Sequence, residues 1–307
     1  MDTAHRLSPC RAVPPAHPSD DPVYARLRFP LSPHELMDRV HDALVEDHAF
    51  DDITTIATVQ SDRRARARLV ARQSGILSGV PFAIAAFRSL DDKSAIRVEL
   101  EDGSPVRKGD TILFISGHAR GLLSAERVAL NFLQKLSGIA TLTGRFVEAV
   151  RGTRARILDT RKTTPGWRSL EKYAVRCGGG TNHRTDLASS VLIKDNHLVA
   201  VEGDIARAVR RARELAGPDT TVEVECEDIA QVRAAAEAGA DLILLDNMAP
   251  DKMAECAALV RGRARLEASG GITLETVRAI AASGVDFVSV GALTHSAPAM
   301  NVALDFE

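Results

Sequence analysis

From about residue 155 onward the sequence alternates between short apolar runs and helical segments, and this rhythm limits the fold more than any other feature. Strand-like runs fall at 155–158, 221–226, 241–245, 264–268 and 286–290, with helical patterns over 204–216, 228–238, 250–261 and 273–283. Strand starts recur roughly every 20 residues, the spacing of βα units in a parallel sheet or barrel. The last four strands end on polar or very small residues: Glu225, Asp246, Ser269 with Gly270 and Gly271, and Gly291. In a (β/α) barrel the carboxyl ends of the strands carry the active site. One such residue could be an ordinary loop residue. Four in succession favour a barrel mouth.

Upstream the pattern is different. Residues 1–22 hold Pro9, Pro14, Pro15, Pro18 and Pro22 among small and polar residues, so a disordered lead-in is expected there. Ser32 followed by Pro33 predicts a helix start, with Leu36, Val40, Ala43 and Leu44 on one face. From 63 to 117 short strand-like runs broken by Gly, Pro and Asp predict a small sheet-rich unit. Residues 124–150 read as a helix that Gly138 and Gly144 could interrupt.

Composition excludes some functions. The 307 residues carry a formal net charge of −2, so nothing global points to nucleic acid or an acidic membrane surface. No apolar run of about 18 residues predicts a membrane span, and no apolar h-region predicts a secretory signal. The four cysteines form no CxxC pair, which favours reduced thiols and a cytoplasmic location.

Charge is unevenly spread. Residues 154–195 contain nine lysines and arginines against four acids, in a chain that is slightly acidic overall. A charge run is most often a solvated face. Here the cations are interleaved with Thr163-Thr164-Pro165-Gly166 and with Gly178-Gly179-Gly180, and glycines let backbone N–H groups approach an anion closely. Arginine grips carboxylate or phosphate through a planar fork, whereas lysine is a point charge suited to phosphate. The mixture predicts a small, multiply negative ligand bearing both groups. Ser269-Gly270-Gly271, with Thr273 as a helix cap, is a candidate phosphate cradle, and the segment at Gly291 is a second. Glu225 and Asp246, at adjacent strand ends, suit Mg²⁺, which takes few protein ligands. The plain alternative is an ion pair of these acids with Lys162 or Lys194.

Together these residues resemble the quinolinate phosphoribosyltransferase family. The motifs are DTRKTTPG at 159–166, EKYAVRCGGG at 171–180, NHR at 182–184 and LIKDNH at 192–197. VEVE at 222–225, LDN at 245–247, ASGG at 268–271 and SVGALTHS at 289–296 also match, as do LSAERVALNFLQ at 123–134 and LSGIAT at 136–141. The resemblance runs from about Ser32 to the end of the chain. It implies an α/β architecture: an N-terminal α/β sandwich over 23–135, with 293–307 able to pack back on it, and an irregular, TIM-like (β/α) barrel over 136–292. It implies transfer of phosphoribosyl from phosphoribosyl pyrophosphate to quinolinate with decarboxylation, in NAD biosynthesis, with Mg²⁺. By the same resemblance Arg161, His183, Arg184 and Lys194 line the quinolinate site, and Lys162 faces pyrophosphate. Glu225 and Asp246 serve ribose and metal, and are with Lys162 the catalytic candidates. Ser269, Gly270, Gly271 and Gly291 hold the 5′-phosphate. A homodimer is implied, in which Arg127 of one subunit completes the other's site.

The match departs at three positions. Asp186 stands where Gly is usual, Ser189 where an acid is usual, and Trp167 where Leu is usual. Three other functions compete. A molybdenum-transport-associated group resembles the family but lacks the lysine of LIKDNH, so Lys194 argues for quinolinate. A barrel aldolase would use Lys194 or Lys162 as a Schiff-base nucleophile. A non-catalytic phosphate-binding module would not need the full set of charges.

Overall fold

The computed structural model describes residues 27–217 and 219–307. The expected lead-in over 1–22 therefore lies outside the described residues.

The first helix, α1 (Pro33–Glu46), starts where the sequence places it. The Ser32 hydroxyl accepts from Glu35 N–H, and the Glu35 carboxylate accepts from Ser32 N–H, a reciprocal capping box. Val40 and Leu44 are buried, and Leu36 and Ala43 are half-buried beside them. Next come α2 (Ile53–Thr58), β1 (Arg64–Ala71), β2 (Gly75–Ile76), α3 (Val80–Leu90), β3 (Ala95–Val98), β4 (Pro105–Val106), β5 (Thr111–His118) and α4 (Ala119–Ala149). The helix α3 was not legible in a stretch that reads as sheet alone. Its apolar residues are buried on nearly every side, so no polar face marks it.

The helix α4 spans 31 residues without a break, and it begins earlier than the sequence suggests. Gly138 and Gly144 do not interrupt it. They are points of close approach: a Cβ on Gly138 would lie 2.1 Å from the Pro298 carbonyl oxygen, and one on Gly144 2.5 Å from Ile76 Cδ1.

The chain continues through β6 (Arg156–Leu158), α5 (Arg168–Cys177), β7 (Val191–Ile193), α6 (Asp195–Ala200), α7 (Ile205–Ala216), β8 (Val222–Cys226), α8 (Ile229–Glu237) and β9 (Leu242–Asp246). It ends with α9 (Pro250–Val260), β10 (Arg265–Ser269), α10 (Val277–Ala282), β11 (Phe287–Ser289), α11 (Ala292–His295) and β12 (Val302–Phe306). Six strands form a parallel sheet in the order β6-β11-β10-β9-β8-β7. A parallel bridge between Leu158 and Thr181 extends it past β6. The segment between Thr181 and β7 thus occupies the irregular seam of a TIM-like barrel.

A second, antiparallel sheet has the order β12-β1-β5-β3. Its outer strand β12 comes from the far end of the chain and pairs with β1 in register from Ala67↔Phe306 to Ala71↔Val302. The helix α4 touches β1, β2, β5 and β12, and also β6 and α5. One apolar core runs from Val40 and Phe82 through Leu133 and Leu136 into Val224, Leu245 and Val288 of the barrel.

Candidate active site

Period-two alternation decides which side chains point into the barrel. On β8, Val222, Val224 and Cys226 join the apolar core, leaving Glu223 and Glu225 for the interior. On β10, Leu266 and Ala268 join the core, leaving Glu267 and Ser269. On β9, Ile243 and Leu245 join it, leaving Leu244 and Asp246. Ser269 lies beside Asp246 in the ladder, one step above Glu267 beside Leu244.

The interior opens at the strands' carboxyl ends into a cavity of about 610 Å³, the size of a small-molecule site. Its lining includes Arg161, Lys162, His183, Arg184 and Lys194, with Glu225, Asp246, Ser269, Gly270 and Gly271. Gly291 stands just behind Lys162: a Cβ there would come within 3.2 Å of Lys162 Cδ. Arg127 is not in this group. It is exposed on α4 and does not line the cavity.

The cationic wall is held from behind by Asp159, which is fully buried. Its carboxylate pairs with Lys172 Nζ and accepts from Asn182 Nδ2 at 2.6 Å and His183 N–H at 2.8 Å. Lys172 also donates to the His183 carbonyl at 3.0 Å. Burial pushes the Asp159 carboxyl up and the Lys172 ammonium down, and each charge opposes the shift of the other. Glu171, also fully buried, accepts from Thr164 N–H at 3.1 Å and Thr164 Oγ1 at 2.7 Å, which fastens the TTPG loop. The acids of the basic segment therefore shape it rather than neutralise its face.

Arg161 and Arg184 stand close together. Burial and the Arg161 charge hold the Arg184 guanidinium below the ordinary arginine value, and Arg161 Nε is buried with no hydrogen-bond partner among the described residues. Two adjacent guanidiniums with an unpaired donor suit an anion. In the same lining Lys194 Nζ donates to one oxygen of Glu225 at 2.9 Å, and Asn247 Nδ2 to one oxygen of Asp246 at 2.8 Å. The ion pair weighed for Glu225 therefore forms with Lys194. Each carboxylate keeps a second oxygen, and hard oxygen donors on neighbouring strands fit Mg²⁺.

The glycine loop needs correction in one respect. Thr273 does not open a helix. Its N–H is taken by Thr276 Oγ1 at 3.0 Å, and α10 begins one turn later at Val277. The cradle is therefore loop backbone without a helix dipole. Gly270 has φ +95°, and a Cβ there would lie 2.1 Å from Asn247 Oδ1, so glycine is required.

The sequence reading missed Glu223 and Glu267, which lie in the floor, 2% and 1% exposed. His183 Nε2 lies 3.1 Å from Glu223 Oε2 and 3.4 Å from Glu267 Oε2, while Nδ1 accepts from Arg184 N–H at 2.7 Å. Burial opposes charge on the ring and the two carboxylates favour it. A second ring proton would have to sit on Nδ1, where the Arg184 N–H already points. That contact decides for one proton, on Nε2. The signal for both acids was present in VEVE and RLEAS: an acid two residues below a mouth residue faces the same interior.

Two of the departures have a local account. Asp186 Oδ1 accepts from Ala188 N–H at 2.9 Å and Ser189 N–H at 2.7 Å, bonds that hold its carboxyl below the usual range. Its charge is spent on the loop turn. Trp167 stacks on Phe132 with ring centroids 5.1 Å apart, which ties the TTPG loop to α4. Nothing in the structure explains Ser189.

Comparison with known proteins agrees with this geometry. The model of the quinolinate phosphoribosyl transferase C-terminal domain matches residues 139–305, and that of the N-terminal domain matches residues 52–137. The nicotinate-nucleotide pyrophosphorylase [carboxylating] of Mycobacterium leprae is 43% identical over 275 residues, covering 87% of this chain and 96% of that one. A probable nicotinate-nucleotide pyrophosphorylase [carboxylating] of Bacillus subtilis is 42% identical over 261 residues, covering 85% and 90%. The solved nicotinate-nucleotide pyrophosphorylase from Francisella tularensis superposes with a TM-score of 0.85 at 38% identity, covering 91% of this chain and 99% of that one.

Proposed function

The chain belongs to the quinolinate phosphoribosyltransferase family, and we propose that the barrel-mouth cavity is where its reaction takes place. The enzyme transfers phosphoribosyl from phosphoribosyl pyrophosphate to quinolinate and releases pyrophosphate and CO₂, giving nicotinate mononucleotide for NAD biosynthesis. The observation that carries the assignment to this cavity is the convergence of Arg161, Lys162, Arg184 and Lys194 with Glu225, Asp246 and the 269–271 loop on one volume.

The division of labour follows from charge. Arg161 and Arg184 hold the pyridine carboxylates, with Lys194 completing that side. Lys162 meets the pyrophosphate. Backbone N–H groups at Ser269–Gly271, beside Gly291, hold the 5′-phosphate. Glu225 and Asp246 hold the ribose hydroxyls and Mg²⁺. When bound there, Mg²⁺ would supply positive charge to offset that of the pyrophosphate. As the sugar–pyrophosphate bond lengthens, the sugar gains positive charge and the leaving group negative charge. The task is positioning and electrostatic stabilisation, so no strong base is needed. Once the ring nitrogen is alkylated, it stabilises the carbanion left at the neighbouring carbon when CO₂ departs.

A Schiff-base aldolase fits less well. Lys194 is exposed and paired with Glu225, and the buried lysine, Lys172, is bound to Asp159. Arg127, exposed on α4 and outside the lining of its own cavity, supports a homodimer in which it serves the neighbouring site. Phe50 and Ile56 are exposed apolar residues lining one hollow with Ser124, one turn from Arg127. Free, buried Cys177, Cys226 and Cys256 support a cytoplasmic location.

The test is release of labelled CO₂ from quinolinate labelled in its 2-carboxylate, with phosphoribosyl pyrophosphate and Mg²⁺, against nicotinate as alternative acceptor. Quinolinate-dependent release with no turnover of nicotinate is expected. Equal use of nicotinate would sink the two-carboxylate assignment.

A further inference from the structure

The cavity is built for a substrate with two carboxylates, yet its floor holds two more carboxylates, Glu223 and Glu267, that the reaction does not use. Glu267 lines the cavity, and neither of its oxygens has a hydrogen-bond partner among the described residues. Between them stands His183, and every polar atom of His183 is taken by protein. Its N–H is donated to Asp159, its carbonyl accepts from Lys172, its Nδ1 accepts from Arg184 N–H, and its Nε2 faces the two glutamates. No ring nitrogen remains for a carboxylate of the substrate.

One cation could in principle sit among these three groups, whose ligand atoms lie within 4.8 Å of one another. The geometry disfavours it. A metal-bound histidine normally donates its other ring N–H, whereas Nδ1 here accepts from Arg184. The Arg184 guanidinium already interacts with Glu223, and it would repel a metal ion held there.

We propose that Glu223 and Glu267 are positioning residues: they hold the His183 Nε2–H toward the barrel axis, so that Nδ1 fixes the Arg184 backbone and aims its guanidinium at the substrate. His183 thereby acts on quinolinate through Arg184 rather than by touching it. The inference rests on the assignment of Arg184 to a pyridine carboxylate.

The test combines a spectroscopic and a kinetic measurement. In wild-type protein labelled with ¹⁵N-histidine, the His183 signal, identified by its loss in His183→Gln, should show a protonated Nε2 and a bare Nδ1, unchanged when quinolinate is added. A protonated Nδ1, or a shift of either nitrogen on adding quinolinate, overturns the proposal. In the Glu223→Ala/Glu267→Ala double variant, KM for quinolinate should rise about 10- to 100-fold while KM for phosphoribosyl pyrophosphate stays put. Glu223→Gln and Glu267→Gln each keep an oxygen that can face Nε2–H, so each should stay near wild type. Loss in the glutamine variants equal to that in the alanine variant also overturns it. Zinc or manganese binding that the double variant abolishes overturns it in favour of a metal site. Failure of the underlying assignment would show separately, as an unchanged quinolinate KM in Arg184→Ala with the His183 signals as expected.

Discussion

Asp159 and Lys172 form an ion pair with side chains 0% and 4% exposed, and nothing in it faces substrate. A buried pair is expensive to break from one side, because the remaining charge has no water to turn to. Lys172→Met should therefore cost about 3–5 kcal/mol in urea unfolding. Arg184→Ala should behave the other way. Its guanidinium closes no buried pair, so the melting temperature should hold while kcat/KM for quinolinate falls about 100-fold or more, equivalent to roughly 2.7 kcal/mol. If Arg184→Ala unfolded as readily as Lys172→Met, the split between scaffold and ligand-binding charges would be wrong. The thiols give a third prediction. Burial pushes Cys177 and Cys226 from 9.0 up to about 12, so iodoacetamide at pH 8 should label neither in the native protein and both after denaturation. Their contribution to stability is present below pH 9 and is lost as pH rises toward 12, because the unfolded chain releases these protons first. An alkaline shift in the unfolding midpoint over that window is the corresponding measurement.

At the scale of elements, helix propensity and packing make opposite demands on α4. Glycine to alanine inside a helix ordinarily gains up to about 1 kcal/mol. Gly138→Ala should nevertheless destabilise the protein by about 1–3 kcal/mol, because the new methyl meets a backbone carbonyl that cannot move aside. Gly144→Ala meets only the flexible end of Ile76 and should be close to neutral. Thermal melts of the two variants should diverge, and equal melts would contradict the packing argument. The same helix shows what the sequence could reveal. The βα rhythm exposed the barrel because alternation and turn residues are local signals. The start of α1 was legible because a capping serine and a first-turn proline, Ser32 and Pro33, stand side by side. The glycines of α4 misled because their close approaches, Gly138 to Pro298 and Gly144 to Ile76, are to segments distant in the chain. Most of the cationic wall was legible as charge and motif. The floor was not, because Glu223 and Glu267 look like ordinary acids until strand direction and register place them inside.

At the scale of the whole molecule, the proposed loan of Arg127 from a second copy makes a prediction that no single-chain site can. Arg127→Ala and Lys162→Ala should each be nearly inactive alone. Co-expressed, half the dimers would be mixed, and each mixed dimer would hold one site with every residue intact. About a quarter of wild-type activity should then return. No recovery, with mixed dimers shown to be present, would place Arg127 outside the neighbour's site. The placement of β12 has a consequence in time. It follows the whole barrel in the chain, yet it completes the sheet to which β1, before the barrel, belongs. During synthesis β1 must wait, with its outer edge unpaired, until the whole barrel has left the ribosome. A ribosome that stops short of residue 302 releases a chain with an open edge, a template for sticking to other chains. The order of the sequence therefore makes finishing the barrel a condition for sealing the sheet, and leaves incomplete copies for chaperones and proteases to find.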